Sequence, residues 1–257
     1  ADRVQATLEL YVAYETDTVE VTGRPVPLEV EPTAVLAYVL SGSQVWEWEV
    51  SGFLSGDLFR QITTQLFAVE PYRPGRFPVV FVHGTASSPA RWAEMLNELE
   101  NDPRIRERFQ FWFFTYETGN PVVYSAMRLR EALQAALAKL DPTGRDPALR
   151  QMVVIGHSQG GLLTKLTAVD SGTKAWDAFV RVPPEELTVS PKTRDLLRRA
   201  LFVKPLPFVR RLIFLATPHR GSYVAGNWLA HQLARLVRLP GRFLELTDEL
   251  MASGELG

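Results

Sequence analysis

The sequence predicts an α/β domain, a mostly parallel sheet with helices on both faces. Three observations predict it. Four short apolar runs, at 78–82, 109–116, 151–155 and 211–216, alternate with segments of helical periodicity. The first and third runs are apolar almost throughout, which suits strands covered on both sides. A glycine-rich turn, Gly156 to Gly161, joins the third run to a helix. The chain has 257 residues, 46% of them hydrophobic and 22% charged, the balance of a globular protein with a core large enough to need no disulfide or metal.

The first 75 residues read as a β-rich extension packed on that core. Leu8, Leu10 and Val12 alternate, imperfectly, with Glu9, Tyr11 and Ala13. Val45 to Val50 alternates more cleanly, with Trp46 and Trp48 on one face and Glu47 and Glu49 on the other. Trp46, Trp48, Phe53 and Phe59 would line a pocket or simply pack a strand face. Residues 71–78 (PYRPGRFP) form a connector.

The core follows over 76–257. Pro78 to Val82 is its first strand. Residues 89–100 read as a helix with Trp92, Leu96 and Leu99 on one face, and FQFWFFTY (109–116) as a strand. Leu129, Leu133, Leu137 and Leu140 mark a helix over 122–140. Gln151 to Ile155, a helix over 159–170, Arg211 to Ala216 and a helix over 222–238 complete the alternation, and such units cross over right-handed. About 40 residues separate Asp170 from Arg211, too many for an ordinary connection. The insertion, 171–209, is a candidate lid whose Leu196, Leu197 and Leu201 would meet lipid on opening; the alternative is a packed helix.

Composition excludes several chemistries. There is no cysteine, hence no disulfide, thiolate metal site or cysteine nucleophile. The net charge of −1 and pI near 6.5 argue against a nucleic-acid-coating protein. No apolar run approaches the roughly 18 residues of a membrane span. Charge is uneven: residues 1–60 carry ten acidic and three basic side chains, and 191–242 carry eleven basic and one acidic. These segments face each other or solvent, or the basic one meets anionic lipid or an acidic partner. The chain begins at Ala1, not Met, which is compatible with export after removal of a signal.

Three motifs carry chemistry. Gly156-His157-Ser158-Gln159-Gly160 is a G-x-S-x-G pattern between strand and helix. A sharp turn there exposes the serine hydroxyl at the sheet's edge, with a helix start behind it that favours developing negative charge. The alternative is a glycine-rich turn with an incidental serine. His83-Gly84-Thr85 follows the first apolar strand. Acyl transfer needs two amide donors for its oxyanion, and the backbone N–H groups of Gln159 and Thr85 stand at those places. His83 reads as a structural brace of that loop, and His157 as a second supporting residue beside Ser158. Ala216 to Ser222 (ATPHRGS) is the third motif.

In this order and spacing, HGT, GHSQGG and ATPHRGS resemble the α/β-hydrolase superfamily over about 76–238, and most of all its bacterial lipases and carboxylesterases. The resemblance implies that Ser158 attacks an ester carbonyl and forms an acyl-enzyme that water hydrolyses, with no metal or organic cofactor. It implies a small-molecule or lipid ester as substrate. The superfamily also supplies an acid and then a histidine after the serine. Only His219 and His231 follow Ser158. His219 ends a strand on the catalytic side and supports the site, but related lipases use a later histidine as base. His231 falls inside the helix 222–238. Asp248 and Glu249 have no strand before them. The sheet is therefore expected to lack its last two strands in this chain. The acid and histidine of the triad are then expected on a C-terminal segment of the same protein that is absent from this chain, whether cleaved into a second chain, disordered or not included. A non-catalytic binding or scaffold protein that keeps the serine turn is the alternative.

Overall fold

The computed structural model describes residues 7–11, 16, 18–28, 64–85 and 87–220. Trp46, Trp48, Phe53, Phe59, the helix expected over 222–238, His231, Asp248 and Glu249 lie outside the described residues.

Two short strands, β1 (Thr18–Val21) and β2 (Arg24–Pro27), pair as an antiparallel hairpin. Its turn places Thr22 and Gly23 at φ 52° and 73°. Such a turn has positive φ at both central residues, which glycine adopts at no steric cost. The strand expected around Leu8 and Leu10 is absent: residues 7–11 are irregular, and the two leucines are 86% and 89% exposed. Val12 and Ala13 of the same expected strand, and Val45 to Val50, lie outside the described residues.

The main sheet has five strands in the order β3 (Gln65–Ala68), β5 (Phe109–Thr115), β4 (Phe77–Val82), β6 (Met152–His157), β7 (Val209–Leu215). β3 is antiparallel to β5; every other pair is parallel. Thus a strand of the N-terminal region joins the core sheet. The four apolar runs became β4, β5, β6 and β7, within two residues of the expected ends.

Helices cover both faces. On one face Val80, Val82, Trp112, Phe114, Met152 and Val154 pack against Leu129 and Leu133 of α3 (Val122–Leu140) and Leu163 of α4 (Gln159–Lys165). On the other, Val79, Phe81, Phe111, Phe113 and Ile155 meet Trp92 and Leu96, the latter from α1 (Ala93–Asn101). α2 (Pro103–Arg108) leads into β5. Burial of β4 on both faces explains why its sequence does not alternate: Val80, Phe81 and Val82 are fully buried.

α4 stops at Lys165, short of the expected Asp170. The Thr164 carbonyl accepts from both the amide (3.0 Å) and the hydroxyl (2.7 Å) of Thr167, and the Thr167 carbonyl accepts from Leu206 N–H (2.8 Å). These bonds draw the chain out of the helix and into the insertion. There, α5 (Lys174–Asp177) and α6 (Pro191–Leu201) enclose a separate cluster of Trp176, Val180, Leu187 and Leu201, against which Val123 of α3 packs.

Candidate active site

β6 ends at His157, and α4 begins at Gln159. Between them Ser158 has φ 52° and ψ −122°. For a residue with a Cβ this conformation costs about 1–3 kcal/mol, and it persists where its surroundings leave no alternative. Ser158 N–H donates to the Leu215 carbonyl of β7 (2.9 Å), and its own carbonyl accepts from Gly161 N–H (3.0 Å). The glycines allow the closeness. A Cβ on Gly160 would lie 2.3 Å from the carbonyl oxygens of Val82 and His83, and one on Gly161 would lie 1.8 Å from Thr217 Oγ1. A Cβ on Gly84 would lie 2.9 Å from Ser158 Cβ. The three motifs therefore meet at one place, at the carboxyl ends of β4, β6 and β7.

The loop after β4 is braced from below. His83 is buried, its ring stacked on Tyr116 at 4.6 Å, and the Tyr116 hydroxyl donates to the His83 carbonyl at 2.9 Å. His83 Nδ1 lies 3.0 Å from the Gly84 carbonyl. A carbonyl only accepts, so Nδ1 carries the proton. Burial holds the imidazole pKa down to about 4, with the nearby His157 acting in the same direction and the Gly84 carbonyl opposing. His83 is thus neutral at physiological pH.

Thr85 is exposed at the tip of this loop, and its hydroxyl donates to Gln159 Oε1 at 2.8 Å. Gln159 Nε2 in turn donates to the Thr118 carbonyl, 3.2 Å away, in the loop after β5. At the start of α4 the first backbone N–H groups, beginning with Gln159, have no intrahelical carbonyl to pair with.

Of the residues singled out in the sequence, Ser158, Gln159, Thr85, His83 and His157 gather here. His157 is half-buried and edge-on to Trp92 (6.5 Å, 88°), and its buried Nδ1 has no partner among the described residues. His219 is exposed: its N–H donates to the Thr217 carbonyl (3.0 Å), and its ring stands edge-on to Phe214 at 4.6 Å. The contacts of the three described imidazoles thus run to Gly84 and Tyr116, to Trp92, and to Phe214. Tyr116 and Thr118 were not legible as site residues. Their one signal is position, just past the carboxyl end of a strand adjacent to β4. Among the described residues, no group of three or more His, Cys, Asp or Glu side chains is placed to hold a metal ion.

Solved structures similar to this chain include the mature lipase of Bacillus licheniformis, at 19% identity and a TM-score of 0.38 over 68% of this chain and 57% of that one. A native esterase of the planctomycete Thermogutta terrifontis matches at 18% identity and a TM-score of 0.32, over 59% of this chain and 47% of that one. The chain thus spans about half the length of each. No curated protein matches it. The family model described as "Alpha/beta hydrolase family" matches residues 79–255, taking in the three motif loops and most of the parallel sheet that carries them. The chain belongs to the alpha/beta hydrolase family.

Proposed function

We propose that the protein is a serine hydrolase that cleaves carboxylic esters through an acyl-enzyme on Ser158. The observation that carries this reading is the Ser158 backbone, held at φ 52° on a strand-to-helix turn with the Gly84 loop against its Cβ. A hydroxyl so placed can reach a carbonyl carbon from the sheet's edge.

As Ser158 Oγ bonds to that carbon, the carbonyl π pair moves to oxygen. The resulting oxyanion takes hydrogen bonds from the backbone N–H groups of Gln159 and Thr85, which are preorganised before the reaction. Collapse expels the alcohol and leaves the acyl group on Ser158; a water molecule then repeats the addition and releases the acid. An imidazole must take the Ser158 proton and return it to the leaving alcohol. His83 is unsuited: it is buried, and the burial that holds its pKa down to about 4 opposes the protonation a base must undergo. We assign this base and its orienting carboxylate to residues outside the described ones. The motifs favour lipid or medium-chain esters, and thioesters, amides and polyesters yield to the same machinery.

A second reading is a binding or scaffold protein that has kept the serine turn without its base. It is favoured by the contacts of the described imidazoles, which run to other residues. Hydrolysis of p-nitrophenyl esters by the wild type and by Ser158→Ala separates the two. The hydrolase reading expects turnover that falls by about 10,000-fold or more in the variant. No turnover by either protein supports the scaffold.

A further inference from the structure

We propose that the Gln159 side chain is a positioning residue that locks the loops after β4, β5 and β6 together and so holds the Thr85 amide where the carbonyl oxygen becomes charged. The inference rests on the ester-hydrolase reading of the same site, which itself uses only the backbone of Gln159.

The sheet order places β5, β4 and β6 side by side. Their carboxyl-end loops carry Thr118, Thr85 and Ser158-Gln159 respectively, and Gln159 bonds to both of the others. The chemistry of the partners fixes the direction of each bond. The Thr118 carbonyl can only accept, so the amide nitrogen must face it. The amide oxygen then faces Thr85, whose hydroxyl must donate. That proton is committed to Gln159 and is not offered to a substrate. The Thr85 hydroxyl is a tether for its loop, and the loop's contribution to the oxyanion is its backbone N–H. Thr85 is exposed, so core packing does not fix it, whereas its neighbours His83 and Gly84 are buried. A donor displaced by about 1 Å costs on the order of 100-fold in rate.

Replacement by glutamate makes the idea specific. Ionised, Gln159→Glu sets a carboxylate oxygen against the Thr118 carbonyl, two acceptors with no proton between them, and puts negative charge beside the oxyanion. Protonated, it restores one donor and one acceptor.

The test is steady-state hydrolysis of p-nitrophenyl butyrate by the full chain across pH, for wild type, Gln159→Leu, Gln159→Glu, Thr85→Val and the double variant Gln159→Leu/Thr85→Val. Thermal melting of each variant checks that it is folded. The proposal expects kcat to fall about 10- to 100-fold in Gln159→Leu and in Thr85→Val, with KM nearly unchanged. The double variant is expected to be no worse than the poorer single one, because both remove the same bond. The ratio of Gln159→Glu to wild-type activity rises as the pH is lowered. Wild-type kcat in Gln159→Leu, losses that multiply in the double variant, or a Gln159→Glu profile parallel to wild type each overturn the proposal. If Gln159→Leu does not fold, Thr85→Val reads the same bond from its exposed end. A wild-type chain with no turnover overturns the hydrolase reading and the clamp with it, an outcome distinct from an active enzyme indifferent to Gln159.

Discussion

Two buried ionisable residues pull the stability of the protein in opposite directions as pH changes. His83 is held down to about 4, mainly by burial, from an ordinary value near 6.5. As the pH falls from 6.5 to 4, the unfolded chain gains a proton that the folded protein refuses, so the fold loses stability. Glu100, near the end of α1, is pushed up to about 7 from 4.5, first by burial and then by the Glu70 carboxylate, with Arg106 opposing. Here the folded protein keeps a proton that the unfolded chain has released, and stability is lost as the pH rises from 4.5 to 7. The two windows overlap, so the slopes offset each other in the wild type. Glu100→Gln is expected to melt above wild type at pH 8, with the gap narrowing towards pH 5; His83→Gln is expected to lose least relative to wild type at pH 4. Melting curves across this range check both, and a pH-independent gap for Glu100→Gln contradicts the assignment. Neither shift was legible in the sequence, because burial of a single side chain is set by tertiary packing. Thr118 was hidden for a different reason. It acts through its backbone carbonyl, which any residue would supply, so no side-chain pattern marks it. Ser158, Thr85 and His83 could be singled out because each belongs to a short motif that follows an apolar run.

At the scale of the element, the starts of the helices are written plainly. Ser88-Pro89, Asp102-Pro103 and Ser190-Pro191 each open a helical turn, the first residue's side chain accepting from a backbone N–H at 3.3, 2.9 and 3.2 Å and the proline standing where no N–H is needed. Helix ends were less legible. α4 ends where Thr167 captures the Thr164 carbonyl, and the Thr167 carbonyl in turn accepts from Leu206, about 40 residues away in sequence. α4 also depends on contact with β4 through Gly160. A methyl group there meets two backbone carbonyls, which cannot swing aside as a side chain would. Gly160→Ala is therefore expected to lower stability by about 1–3 kcal/mol in urea unfolding and to slow hydrolysis by displacing the Gln159 amide. A variant as stable and active as wild type refutes the close approach. In the insertion, Leu201 is buried and Leu197 packs on the Trp176 cluster. Phe179 and Phe202 are its exposed large apolar side chains among the described residues.

For the whole molecule, the alternation of short apolar runs with amphipathic helices pointed to the parallel sheet; β4, β5 and β6 are largely buried, while β7 is half-buried to exposed among the described residues. The antiparallel β3 was not separable from its extension, because a four-residue segment carries little periodicity. Among the described residues, two of the eleven basic residues of 191–242 form ion pairs within the chain. Arg198 pairs with Glu185, and Arg199 with Asp195 and with Glu131 of α3. Such exposed pairs are each worth little, and of the three only Arg199–Glu131 joins α6 to α3. No helix among the described residues is long and apolar enough to cross a membrane. The loops of the three motifs meet at the strand-to-helix turn that carries Ser158.

That convergence is tested most directly by treating the full chain with a fluorophosphonate and mapping the product by mass spectrometry. An activated serine attacks phosphorus, expels fluoride and keeps the phosphonyl group. A single adduct is expected on the peptide carrying Ser158, lost in Ser158→Ala. An unmodified chain, or a label on any other residue, would contradict it.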